Sequence, residues 1–183
     1  MRLFVALEVP EAVRERLDCA LAPVRERHAE LTWTTAEGWH LTLAFLGEVT
    51  AHPRDIATVL APVVATAPAG IRLTLTSAGR FGRRVLWLGV RDEPLGAVTA
   101  LGAAAQHALA EADLPVDLQE VRPHLTLARA RNRRADVSAP LVASIPSVPA
   151  EWTARELLLM RSVRSSHRRP NRYEALVRLP LAA

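Results

Sequence analysis

The pentapeptide HLTLA occurs twice in this chain of 183 residues, once beginning at His40 and once at His124. Each copy carries a threonine two positions after its histidine, Thr42 in the first and Thr126 in the second. Alternation of polar and apolar residues predicts a β-strand, in which every second side chain shares a face. The leucines are then expected in the core, and each histidine shares the opposite face with its threonine.

One such motif is ordinary strand sequence, but two copies in similar halves predict two strands that face each other across a cleft. An imidazole has an unperturbed pKa of about 6.5, so a neutral ring can accept a proton from water while a protonated ring gives one to a leaving oxygen. Such a pair can catalyse displacement at phosphorus without a metal. Hydroxyls of Thr42 and Thr126 can donate to phosphate oxygens, and Arg129, just after the second motif, can hold the phosphate as a cation.

The composition is that of a globular protein, since 50% of the residues are hydrophobic. All 23 basic residues are arginine and the net charge is +4. Arginine suits phosphate recognition, but codon bias in a GC-rich genome is the preferred explanation for the complete lack of lysine. The arginine-rich stretches 129–134 and 161–172 are predicted either to line a path for an RNA backbone or to form solvated surface loops.

Several classes of protein are not indicated. No apolar run approaches the roughly 20 residues of a membrane helix, and the first residues lack a signal-peptide cleavage site. Cys19 is the single cysteine, so an internal disulfide is impossible and a cytoplasmic location is expected. No cysteine pair or His-x₃-His spacing predicts a metal site, and no phosphate-binding glycine loop predicts ATP use. We therefore expect no metal, no cofactor and no membrane contact.

The hydrophobic periodicity predicts an α+β fold with antiparallel or mixed sheets. Helices are predicted at 11–29, with a kink or break at Pro23, at 53–66, and from Asp92 and Pro94 to Glu111. Strands are predicted at 2–8, 31–35, 40–47, 71–78, 84–90, 124–129, 154–163 and 173–181. The strands 31–35 and 40–47 are expected to pair, and a hairpin joins 71–78 to 84–90. Residues 1–183 are predicted to form one domain of two lobes, each with one HLTLA.

Two phenylalanines near the predicted cleft receive different predictions. Strand parity places Phe45 in the core, whereas Phe81, in a predicted loop at 79–83, is a residue that can stack on a base. The remaining histidines lack the His-x-Thr context and are interpreted as surface or packing residues: His28, His52, His107 and His167.

Nearly the whole chain resembles the 2H phosphoesterases, and among them the bacterial RNA 2′,3′-cyclic phosphodiesterases, also called 2′–5′ RNA ligases. The segments that carry the resemblance are MRLFVALEVP, HLTLAFLGEV, RVLWLGVR, RPHLTLAR and RYEALVRLPL. It implies two pseudo-symmetric sheets around a central cleft with helices outside. It further implies His40 as proton donor to the departing 3′ oxygen, His124 as proton acceptor, and phosphate contacts from Thr42, Thr126 and Arg129.

The leading hypothesis is metal-independent hydrolysis of RNA 2′,3′-cyclic phosphate ends to 2′-phosphomonoesters. A second hypothesis is an enzyme for small cyclic phosphates, such as a cyclic ADP-ribose phosphate or nucleoside 2′,3′-cyclic phosphates. A third is a non-catalytic module that binds RNA ends. The expected partner is thus RNA or a small nucleotide with a cyclic phosphate end, and no obligate protein partner is evident.

Overall fold

The computed structural model describes residues 1–131, 135–163 and 171–181. Within these ranges the α-helices are α1 (Glu11–Arg27), α2 (Pro53–Ala65), α3 (Ala97–Glu111) and α4 (Ala139–Ser144). The strands are β1 (Arg2–Glu8), β2 (Thr32–Trp33), β3 (His40–Glu48), β4 (Arg72–Phe81), β5 (Val85–Glu93), β6 (His124–Arg129), β7 (Glu151–Thr153), β8 (Glu156–Val163) and β9 (Arg172–Pro180). None of the helices in this part of the chain is long and apolar enough to cross a membrane.

The strands form two antiparallel sheets. One has four strands in the order β3-β1-β8-β9, and the other has five in the order β2-β6-β5-β4-β7. Each sheet holds one HLTLA strand, β3 at the edge of the first and β6 near the edge of the second, and these two strands contact each other. The predicted α+β class with two similar antiparallel sheets is therefore confirmed.

The leucines of both motifs lie in the core, as their alternation predicts. Leu41, Leu43, Leu125 and Leu127 are each at most 2% exposed. Burial of one such side chain contributes roughly 1.5–3 kcal/mol, so these four residues fix which face of each strand is turned away from the core. His40, Thr42, His124 and Thr126 remain partly exposed on that other face.

The predicted pairing of 31–35 with 40–47 is wrong. β2 pairs with β6, through Thr32 opposite Arg129, while β3 pairs with β1. The residues between β2 and β3 form a 3₁₀ turn at Ala36–Gly38, in which the Gly38 amide donates to the Thr35 carbonyl at 2.9 Å. This turn carries the chain from one sheet to the other instead of reversing it within a sheet.

The start of α3 also differs from the prediction. Asp92 lies in β5 and is 6% exposed, and the helix begins only at Ala97. The Asp92 carboxylate nevertheless caps the helix from the strand, because it accepts hydrogen bonds from the amides of Gly96 at 3.1 Å and Val98 at 2.7 Å. The proline-rich connection contains α4 and β7, which periodicity did not reveal because both are short. α1 runs through Pro23 without a break.

Candidate active site

The same β-bulge occurs in both motif strands. The pairing of β3 with β1 skips Leu43, and the pairing of β6 with β5 skips Leu127. A bulge inserts one unpaired residue and so reverses the face of the residues that follow it. As a result, the residue five positions after each histidine returns to the face of that histidine. These residues are Phe45 in β3 and Arg129 in β6.

The prediction that Phe45 lies in the core is therefore wrong. Its side chain is 45% exposed and lines the cleft between the sheets. Simple strand parity failed because it ignores the extra residue of the bulge. The sequence itself could have corrected this prediction, because alignment of the two copies of HLTLA places Phe45 opposite Arg129. If Arg129 lies in the cleft, the equivalent residue Phe45 is expected there too.

A cavity of about 500 Å³ lies between the two sheets. Its lining includes, from the residues predicted to form the site, His40, Thr42, Thr126 and Arg129. His124 borders an adjacent cavity of about 100 Å³ that shares Thr42 with the larger one. The fold thus brings both histidines, both threonines and the arginine to one region.

Each motif histidine makes the same backbone hydrogen bond. Nδ1 of His40 donates to the Gly38 carbonyl at 2.7 Å, and Nδ1 of His124 donates to the Arg122 carbonyl at 2.5 Å. A carbonyl oxygen can only accept, so Nδ1 carries the hydrogen in both rings. In the neutral form Nε2 is then an acceptor, and in the protonated form it is a donor. Both rings are therefore oriented to move a proton at Nε2.

His40 lies among aromatic side chains. Its ring centroid is 4.7 Å from that of Phe4 and 4.9 Å from that of Tyr173, which meets it edge-on. Burial in this apolar setting lowers the pKa of His40 to about 4, although the bond to Gly38 opposes the shift. The positive charges of Arg129 and His124 lower it further. His40 is neutral at physiological pH when the cleft holds no anion.

His124 has a related but more open environment. Burial lowers its pKa, the hydrogen bond to Arg122 opposes this, and the charge of Arg129 adds to the lowering. The ring of Phe81 meets it edge-on with centroids 5.0 Å apart. Phe81 is the last residue of β4 and also packs on Trp87 at 5.3 Å, so its prediction as a loop residue is wrong.

Three further residues at the site were not found from the sequence. Tyr173, in β9, lines the larger cavity and contacts His40, but its position near the end of the chain gave no signal. Asp117 and Gln119 line both cavities from the segment between α3 and β6. The Asp117 amide donates to the Phe45 carbonyl at 3.0 Å, which fixes this segment against the free edge of β3.

The other histidines within the described residues make local contacts, in keeping with their interpretation as surface or packing residues. His28 and His107 bond to nearby carboxylates, and His52 accepts the Arg54 amide at the start of α2. His167 and most of the two arginine-rich stretches, at 132–134 and 164–170, lie outside the described residues. Among the residues that are described, no group of three or more His, Cys, Asp and Glu side chains is arranged to hold a metal.

Two antiparallel sheets, each presenting a His-x-Thr strand to a shared cleft, are the arrangement of a two-histidine phosphoesterase. The chain belongs to the 2′-5′ RNA ligase superfamily, whose family model matches residues 9–166. The family resemblance predicted from the sequence is thus confirmed.

Proteins similar to this chain include two that are named RNA 2′,3′-cyclic phosphodiesterase. That of Escherichia coli strain K12 is 33% identical over 140 residues, covering 76% of this chain and 77% of that protein. That of Geobacillus stearothermophilus is 29% identical over 156 residues, covering 82% of this chain and 48% of the relative. This chain therefore spans about half the length of the Geobacillus protein.

The fold is similar to that of solved structures over its full length. The crystal structure of Escherichia coli LigT complexed with 3′-AMP has a TM-score of 0.70 and 29% sequence identity, and the match covers 100% of this chain and 98% of that one.

Proposed function

We propose that this protein hydrolyses 2′,3′-cyclic phosphate ends of RNA to 2′-phosphomonoesters, with His40 as proton donor and His124 as proton acceptor. The observation that carries the proposal is the matching Nδ1–carbonyl bond in each motif, which leaves Nε2 of both rings available for proton transfer. The names of the relatives support the choice of a 2′,3′-cyclic phosphate end as substrate, and the complex of LigT with 3′-AMP supports a nucleotide as ligand.

The reaction needs two proton transfers. Neutral His124 removes a proton from water through Nε2 while the water oxygen forms a bond to phosphorus. The bond from phosphorus to the 3′ oxygen breaks, and protonated His40 gives its Nε2 proton to that oxygen. The products are a free 3′ hydroxyl and a 2′-phosphate. Exchange with solvent then removes the extra proton from His124 and protonates His40 again.

His40 must be protonated to act as the acid, yet its pKa is about 4 in the empty cleft. The bound phosphodiester carries a negative charge, and a nearby anion favours the protonated imidazole. It also offsets the charge of Arg129, which lowers the His40 pKa when nothing is bound. Substrate binding therefore supplies the negative charge under which His40 becomes protonated and can act as an acid. In the empty enzyme the His40 imidazole stays neutral.

The remaining predicted residues have places that suit phosphate binding. Thr42 and Thr126 line the larger cavity from opposite sheets, so their hydroxyls can donate to different phosphate oxygens. Arg129 lines the same cavity and supplies a cation. Phe45 offers the more exposed ring for a base to stack on, whereas Phe81 packs beside His124.

RNA is favoured over a small cyclic nucleotide because the larger cavity is lined by more cations than a single phosphate needs. Arg2 and Arg131 line it in addition to Arg129, and the phosphates of a longer RNA would interact favourably with this extra positive charge. The test compares kcat/KM for an oligonucleotide with a 2′,3′-cyclic phosphate end, a nucleoside 2′,3′-cyclic phosphate and a cyclic ADP-ribose phosphate. We expect the oligonucleotide to have the highest kcat/KM of the three substrates, and we expect that kcat/KM to fall as the salt concentration rises.

Turnover of the small substrates alone would replace this proposal with the small-substrate enzyme. Tight binding of the oligonucleotide without any turnover would indicate the RNA-end-binding module.

A further inference from the structure

Helix α3 presents a small and polar face to the His40 strand β3 and to the segment that precedes β6. Thr99, Gly102 and Gln106 follow one another at spacings of three and four residues, so they lie on one side of the helix. Gln106 is 6% exposed, in a helix otherwise rich in alanine. A side-chain amide that is buried without hydrogen-bond partners destabilises the fold. The partners that Gln106 has therefore indicate its structural role.

The side chain of Gln106 joins the first motif to the segment that precedes the second. Its Nε2 donates to the Leu43 carbonyl at 2.8 Å and to the Gln119 carbonyl at 2.9 Å, while its Oε1 accepts from the Gln119 amide at 2.9 Å. Leu43 is the bulged residue of the His40 strand, and Gln119 belongs to the segment that leads into His124. The two carbonyls need a donor and the amide needs an acceptor, so only one orientation of the side-chain amide fits.

The bulge and the edge position of β3 together explain why a side chain is needed at this point. The extra residue of a bulge is left unpaired in the ladder, and a buried carbonyl without a donor is unfavourable. Gln106 supplies that donor for Leu43 from outside the sheet. Because the same amide group also holds Gln119, the position of the first motif is tied to that of the second.

Gly102 and Thr99, on the same face of α3, lie against β3 and the segment that precedes His124. A Cβ at Gly102 would lie 2.4 Å from Val121 Cγ2 and 3.4 Å from the Leu43 carbonyl, so glycine allows α3 to approach both. Thr99 Oγ1 donates to the Val121 carbonyl at 3.1 Å. Val121 and Gln119 precede His124 by only a few residues, so this face sets where the second motif begins.

We propose that Gln106, with Thr99, is a positioning residue that fixes the His40 strand and the His124 strand relative to each other. Gln106 acts through Leu43 and Gln119 rather than on the substrate. Its effect on turnover rests on the proposed function, whereas its effect on the two imidazoles does not.

The main test is Gln106→Glu, which keeps the shape and the bond from the Gln119 amide but turns an oxygen toward two carbonyl oxygens. Misplacement by about 1 Å can cost ~10²-fold in rate, so kcat should fall at least ~10-fold while KM changes much less. A protonated glutamic acid regains one donor, so the ratio of variant to wild-type kcat should rise as pH falls. The matched control is His107→Ala, the next residue along the helix, whose side chain is exposed.

A second readout does not require activity. Proton–nitrogen NMR of the imidazoles, with inorganic phosphate as the probe, should show that Gln106→Glu shifts the signals of both His40 and His124 and weakens phosphate binding. His107→Ala should do neither. If the wild type fails to hydrolyse cyclic phosphates, the proposed function falls, and this NMR comparison still tests Gln106.

A folded Gln106→Glu variant with kcat within twofold of wild type and unchanged imidazole signals would overturn the proposal. Should that variant fail to fold, Thr99→Val replaces it, because it keeps the shape of the side chain and removes only the bond to Val121. We then expect a loss of about threefold in kcat with a shift in the His124 signal. An unaltered signal and full kcat would overturn the proposal equally.

Discussion

Phe45 and Arg129 occupy equivalent positions on the two sides of the cleft, each two residues after a bulged leucine and five after its histidine. The histidines and threonines of the motifs repeat, but this position carries an aromatic ring on one strand and a guanidinium on the other. A 2′,3′-cyclic phosphate presents two similar oxygens to a nearly symmetric pair of imidazoles. The pair of Phe45 and Arg129 is an asymmetric element that can fix which oxygen faces His40.

The first prediction concerns this asymmetry. Wild-type enzyme should yield only the 2′-phosphate, and Phe45→Arg should add 3′-phosphate to the products because it places a cation on both sides. The side chain is 45% exposed, so the substitution should leave the fold intact. Phosphorus NMR of the products from a dinucleotide 2′,3′-cyclic phosphate measures the ratio. Phe45→Leu is the control, since it changes the ring without adding charge; a single unchanged product from Phe45→Arg would count against this role.

The second prediction concerns Arg129. Removal of one group that stabilises developing charge typically costs ~10²–10³ in kcat. We expect the kcat of Arg129→Ala to fall by that order. Arg129→Lys should recover part of the lost kcat, because lysine restores the charge without the bidentate geometry of the guanidinium. Steady-state kinetics provide the values, and a kcat for Arg129→Ala near that of wild type would remove Arg129 from the site.

The third prediction concerns the titration of His40. Its pKa is about 4 when folded and 6.5 in the reference state, so the unfolded chain takes up the proton first as pH falls. The stability due to neutral His40 is present above pH 6.5 and is lost progressively toward pH 4. Between pH 7 and pH 5 this loss is about 1–2 kcal/mol. Urea unfolding of wild type and His40→Gln at both pH values should show the smaller decrease in the variant.

NMR titration tests the same residue in the bound state. Added inorganic phosphate should raise the pKa of His40, because the anion favours the protonated ring. An ordinary titration near 6.5 in the absence of phosphate would contradict the environment assigned to His40.

The fourth prediction concerns the support of His124. A Cβ at Gly79 would lie 2.2 Å from the ring of Trp87, whose centroid is 6.3 Å from that of His124. Gly79→Ala should destabilise the protein by about 1–3 kcal/mol, the usual cost of overpacking, and lower kcat. The smaller ring of Trp87→Phe should relieve the clash, so the double variant should be more stable than the sum of the single changes predicts. Simple additivity in thermal unfolding would show that the two residues do not meet.

The motif strands were predictable because their alternation depends only on neighbouring residues. Burial of Leu41 and Leu125 follows directly from that pattern, and so does the placement of His40 and His124 on the opposite faces. Duplication of the motif then allowed one long-range prediction, namely that two similar strands face a common cleft.

Features that depend on distant partners were not predictable in this way. The pairing of β2 with β6 joins residues far apart in sequence, whereas the prediction joined β2 to its neighbour in the chain. The contact of Tyr173 with His40 and the hydrogen bonds of Gln106 likewise arise only when the sheets and α3 have packed. The bulges lie between these cases, since comparison of the two motif copies with each other places Phe45 on the face of Arg129.

The central claim is that two imidazoles supply both proton transfers, and hydrolysis of a dinucleotide 2′,3′-cyclic phosphate in excess EDTA tests it most directly. Wild type and the control His107→Ala should keep their full rates. His40→Ala and His124→Ala should each lose the ~10²–10⁴ typical of a general acid or base, and the double variant should fall little further because the pair acts as a unit. Loss of wild-type activity in EDTA with recovery on adding a divalent ion, or a near-normal rate in either single variant, would contradict the account.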